Sequence, residues 1–141
     1  MPITRKILDN YPNPVFIETG TYRGDGILTA IDCGFKEIYS IEITDYYYER
    51  SQDIFRLFDN VHLIKGDSAV ELSKLLKTIH SPVTFWLDAH YSGQNTGGDK
   101  SPLWDEIKAI KERGVPRDVI LIDDMSDYNI KIEDNILICR L

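Results

Sequence analysis

Apolar residues fall in five short runs along the chain, and each run closes on a carboxylate. They are Val15-Phe16-Ile17-Glu18, Ile38-Tyr39-Ser40-Ile41-Glu42, Val61-His62-Leu63-Ile64-Lys65-Gly66-Asp67, Val83-Thr84-Phe85-Trp86-Leu87-Asp88 and Val119-Ile120-Leu121-Ile122-Asp123-Asp124. Runs this short, rich in β-branched and aromatic residues, read as buried strands. Segments of helical spacing separate them. Ile3, Ile7, Leu8 and Tyr11 suggest a short leading helix, and Ile27, Leu28 and Ile31 give the next one an apolar face that stops at Gly34. Asp45 is placed to cap a helix burying Tyr47, Ile54 and Phe58, and Ala69, Leu72, Leu75, Leu76 and Ile79 keep the spacing further on. Ser101-Pro102 opens the last, with Pro at its first position and Leu103, Ile107 and Ile110 inward. Strands alternating with helices predict an α/β fold with an open, mostly parallel sheet.

The tail breaks the alternation. Tyr128–Glu133 and Ile136–Cys139 flank Asp134-Asn135 and read as a β-hairpin completing a mixed sheet. Only Met125, Ser126 and Asp127 separate it from the fifth run, too few for a parallel crossover. Either the chain returns antiparallel beside the fifth strand, or a segment usual at this point is missing. Residues 1–141 are expected to form one domain.

In an open parallel sheet the ligand sits at the carboxyl ends of the strands, so these acids would share one crevice suited to a cation. The turn Glu18-Thr19-Gly20-Thr21-Tyr22-Arg23-Gly24-Asp25-Gly26 gives tight backbone and close ligand approach before a helix. It lacks the dinucleotide Gly-x-Gly-x-x-Gly spacing and the P-loop Lys-Ser/Thr. Glu42, ending the second strand, is placed to accept hydrogen bonds from ribose hydroxyls, and Asp67 with Ser68 to meet an adenine ring. Tyr46, Tyr47 and Tyr48 follow the ribose acid; helix packing explains them better than stacking on a base. Core packing is likewise expected of Trp104, and structural roles of His62 and His80.

The ordered set Glu18-Thr19-Gly20-Thr21, Glu42, Gly66-Asp67-Ser68 and Trp86-Leu87-Asp88 resembles the class I S-adenosylmethionine-dependent methyltransferases over roughly residues 15–124. The resemblance implies a Rossmann-like sheet flanked by helices. It also implies S-adenosylmethionine as cofactor, with Glu18, Gly20 and Thr21 at its methionine part, Glu42 at the ribose, and Asp67 and Ser68 at adenine. Asp88, Asp123 and Asp124 look like the metal ligands of the divalent-cation-dependent O-methyltransferases. Repulsion supports a cation independently: two carboxylates about 4 Å apart repel by about 4 kcal/mol at an effective dielectric of about 20. Oxygen ligands favour Mg²⁺, Mn²⁺ or Ca²⁺. The related catechol enzymes carry a lysine three positions after the fourth-strand aspartate. Here that position is Tyr91, so Asp88 and His90 become the catalytic candidates.

The implied activity is methyl transfer to a hydroxyl of a small molecule or sugar. A non-catalytic binding protein of the same fold and, further off, an NAD-dependent oxidoreductase are the alternatives. A net charge of −7 without a basic stripe argues against nucleic acid and anionic membranes as partners. Homo-oligomerisation stays open. Two widely separated cysteines, no signal peptide and no run approaching a membrane span predict a cytoplasmic protein.

Overall fold

The computed structural model describes residues 3–87 and 102–122, with the backbone of 130–133 and 136–140. Asp88, His90, Asp123 and Asp124 lie outside the described residues, as does the polar stretch after Asp88.

Five strands, β1 (Val15–Thr19), β2 (Glu37–Glu42), β3 (Val61–Lys65), β4 (Val83–Leu87) and β5 (Val119–Ile122), pair in parallel in the order β3-β2-β1-β4-β5. The helices α1 (Arg5–Leu8), α2 (Asp25–Asp32), α3 (Asp45–Ile54), α4 (Ser68–Leu76) and α5 (Leu103–Arg113) flank this sheet. The order reverses between β1 and β4, which makes their carboxyl ends the topological switch point.

β1 is buried along its whole length because both of its faces are covered. Its side chains alternate between two cores. Val15 and Ile17 pack with Leu72 and Leu76 of α4 and Ile107 and Ile110 of α5. Phe16 packs with Ile27 and Ala30 of α2 and with Phe55 beyond α3. Burying each such side chain stabilises the fold by about 1.5–3 kcal/mol before the entropy of ordering is counted.

The helices correct several expectations. Along α3 and its C-cap the inward residues are Ser51 and Phe55, four apart, while Ile54 and Phe58 are exposed. The reason is local: Phe55 fills the space over Gly24, where an added Cβ would lie 2.8 Å from its ring. The cap of α3 is Thr44, with Asp45 in the first turn. Pro102 is the cap of α5 rather than its first residue, so the helix starts one position later than expected, and Leu103, Ile107 and Ile110 do face inward. Trp104 is exposed, as is Leu28.

The amino ends of the strands are clamped by polar contacts. Buried Asp118 accepts from the Val83 N–H (2.8 Å) and pairs with Arg113, whose guanidinium also donates to the carbonyls of Ile79 and Ser81. Asn13 donates to Thr84 Oγ1 (3.1 Å) and to the Arg117 carbonyl (3.0 Å).

The backbone of β6 (Ile130–Glu133) and β7 (Ile136–Arg140) forms an antiparallel pair, with β7 parallel to β5. The neighbour of β5 is therefore β7, not β6. Among the described residues no helix is long and apolar enough to cross a membrane.

Candidate functional site

The turn from β1 into α2 winds through three left-handed residues, Gly20 (φ 83°), Tyr22 (φ 49°) and Gly24 (φ 88°). Glycine takes this conformation freely, whereas for tyrosine it is strained and calls for fixed surroundings. Those surroundings are two acceptors at the end of β2, one a backbone carbonyl and one a carboxylate. The Gly20 N–H donates to the Ile41 carbonyl (2.8 Å), and the Tyr22 N–H donates to Glu42 Oε2 (2.9 Å).

Glu42, at the end of β2 and 6% exposed, receives a second backbone donor, the Thr44 N–H on Oε1 (2.9 Å). Its carboxylate thus stitches the β1–α2 turn to the β2–α3 turn. Each oxygen keeps acceptor capacity for a hydroxyl donor, because a carboxylate offers about four lone-pair sites. The Glu42 carbonyl takes the Gly66 N–H (3.0 Å), which brings the end of β3 into the same neighbourhood.

Glu18, at the end of β1, is 2% exposed and bonded differently. The Ser40 hydroxyl, fully buried on β2, donates to Glu18 Oε1 (2.8 Å), and Thr21 Oγ1 lies 2.5 Å from Ser40 Oγ. The other oxygen, Oε2, faces Gly26, where an added Cβ would stand 1.9 Å away. Gly26 therefore lets the first turn of α2 lie directly on the carboxylate, with the positive end of the helix toward it.

Asp67 caps α4, accepting the Ala69 N–H on Oδ1 (2.9 Å). Ser68, expected to face adenine, gives its hydroxyl to Oε1 of Glu106, a buried acid on α5. Aromatic rings rim the Glu42 side. Tyr22 and Tyr47 pack at 4.8 Å, Tyr46 meets Tyr47 at 5.2 Å, and the Arg23 guanidinium lies 5.2 Å from the Tyr22 centroid. This shielding, with Tyr22 alongside, raises the Tyr47 phenol pKa from its ordinary 10.0. His62 is not isolated: it bonds Glu37 (2.6 Å) and stacks on Tyr39.

The structure thus gathers Glu18, Gly20, Thr21 and Glu42 around the β1–α2 turn, and ties Asp67 and Ser68 to helix starts beside it. Sequence reading missed Ser40 and Glu106. Each had a signal: Ser40 is the polar member of Ile-Tyr-Ser-Ile-Glu, and Glu106 falls on the inward stripe of Leu103, Ile107 and Ile110. The metal and catalytic candidates Asp88, His90, Asp123 and Asp124 lie outside the described residues. Among the described residues, no group of three or more His, Cys, Asp or Glu side chains is placed to hold a metal ion.

Neither known family descriptions nor curated proteins match the chain. Among solved structures it is similar to a putative caffeoyl-CoA O-methyltransferase from Staphylococcus aureus, with a TM-score of 0.53 and 12% identity. The similarity covers 77% of this chain and 49% of that one, so the chain spans about half the length of the structure it matches. At this identity the likeness is one of fold, a methyltransferase-like α/β sheet.

Proposed function

We propose that this protein binds S-adenosylmethionine and transfers its methyl group to a hydroxyl of a small molecule or sugar. The observation that carries the reading is the pair Glu18 and Glu42, closing β1 and β2 and joined by a left-handed turn at the switch point. The fold of the matched structure agrees with it. Glu42 would accept the ribose hydroxyls, Gly20 and Thr21 would border the methionine part, and Asp67 and Ser68 would lie toward adenine. Ser68 can play that part only as an acceptor, since its proton is spent on Glu106. When bound, the sulfonium supplies an activated methyl group, and its positive charge suits this acidic edge.

The reaction half of the proposal falls on residues beyond the described strand ends. The last paired residues of β4 and β5, Leu87 and Ile122, directly precede Asp88 and Asp123 in sequence. Asp88, Asp123 and Asp124 would hold a divalent ion such as Mg²⁺, which would lower the pKa of the acceptor hydroxyl. Asp88 or His90 would receive the acceptor's proton. The C-terminal hairpin is taken as the edge that completes the sheet, and residues 1–141 as one functional unit.

Calorimetric titration tests this directly. S-adenosylmethionine and S-adenosylhomocysteine should bind, with an Mg²⁺ effect that Asp88→Asn and Asp124→Asn abolish. Binding of NAD with neither sulfur ligand bound would overturn the reading in favour of an oxidoreductase. Sulfur-ligand binding without turnover on any hydroxyl acceptor would leave a binding protein.

A further inference from the structure

Beneath the β1–α2 turn lies a chain of three oxygens whose direction follows from proton counting. The Ser40 hydroxyl has one proton, and it is donated to Glu18 Oε1 (2.8 Å). The 2.5 Å contact between Ser40 Oγ and Thr21 Oγ1 then leaves Thr21 as the donor. With its proton directed at Ser40, Thr21 can only accept from any further partner, beside a Glu18 carboxylate that is an acceptor in any case. All three residues are at least 97% buried, so this arrangement is held without solvent exchange.

We propose that Ser40 is a positioning residue that sets the polarity of the amino-acid end of the cofactor site. It touches no ligand. It fixes Thr21 as an acceptor, so that this end of the site favours a ligand carrying an ammonium group. The nucleoside end does not depend on it, because Glu42 is oriented by the N–H groups of Tyr22 and Thr44. This inference rests on the cofactor reading above.

The test compares S-adenosylhomocysteine with methylthioadenosine, which keeps the nucleoside and sulfur but lacks the amino acid. The wild type should bind the first more tightly. In Ser40→Ala that preference should shrink about fivefold or more, the scale of one buried hydrogen bond, with methylthioadenosine affinity unchanged. Thr21→Val should shrink it similarly, and the double variant should lose no more than the larger single effect. Should Ser40→Ala not fold, Thr21→Val alone decides, and an unchanged preference in it overturns the proposal. Equal weakening of both ligands in Ser40→Ala would mean general loosening and also overturns it. If the wild type binds neither ligand, the cofactor reading itself fails and takes this inference with it.

Discussion

Asp118 and Glu42 are buried acids at opposite ends of the same sheet, and they are held by different means. Asp118 at the amino end faces a full counter-charge, the Arg113 guanidinium, with one backbone N–H beside it. Glu42 at the carboxyl end is held by two backbone N–H groups. A guanidinium clasp is closed: it ties α5 to the start of β4 and leaves nothing for a ligand. Two neutral donors orient a carboxylate without cancelling its charge. One end of the sheet is built for holding, the other for receiving.

Breaking the clasp should produce the largest effect. Arg113→Ala leaves a buried, uncompensated carboxylate, which costs about 3–5 kcal/mol of stability in denaturant titration. Ligand affinity of the molecules that remain folded should be unchanged, and a loss there would erase the distinction between the two ends. Burial raises the Asp118 carboxyl above its ordinary 3.8, outweighing the Arg113 and Val83 contacts that lower it. The folded state therefore holds that proton more tightly than the unfolded chain. The group's contribution is complete below the unfolded value and is lost as pH rises through the folded one. Against Asp118→Asn, which does not titrate, the wild type should gain relative stability as pH falls from neutral toward 3.8 and level off below it. A gap that narrows on acidification would refute the burial argument.

At the receiving end, Gly26→Ala pushes a methyl into Glu18 Oε2, 1.9 Å from its ideal position. Overpacking of this kind should cost about 1–3 kcal/mol, read as a lowered denaturation midpoint. Glu42→Gln keeps the shape but turns one acceptor into a donor facing a backbone N–H. It should weaken S-adenosylhomocysteine binding roughly tenfold, with less loss of stability than Arg113→Ala. Least of all, Arg5→Ala removes the exposed pairs with Asp9 and Asp32 and should change stability by no more than about 0.5 kcal/mol.

The two ends also differed in how far the sequence disclosed them. Strands were legible because their apolar runs are short and end on polar residues, and Glu18 and Glu42 stood at those ends. Helix faces were less so: Leu28 and Ile54 fit an apolar stripe, yet the packing partner of Gly24 selected Phe55. The clasp was invisible, since Arg113 and Asp118 meet around a helix end whose geometry periodicity does not specify. Ser40 was visible only as a polar residue in a buried strand. Its partners, Glu18 and Thr21, come from a different strand and turn, and only β1–β2 pairing brings them together.

That pairing has a consequence for how the molecule comes into being. Val15 meets Glu37 on one side and the far more distant Val83 on the other. The Ser40–Glu18, Thr21–Ser40, Tyr22–Glu42 and Thr44–Glu42 bonds all join residues between Glu18 and Thr44. Closing the shorter loop costs less entropy, and a nascent chain emerges from its amino end first. The receiving end can therefore assemble while the sheet is still half made. In pulse-labelled refolding, the Tyr22 and Thr44 amides should become protected before those of β4.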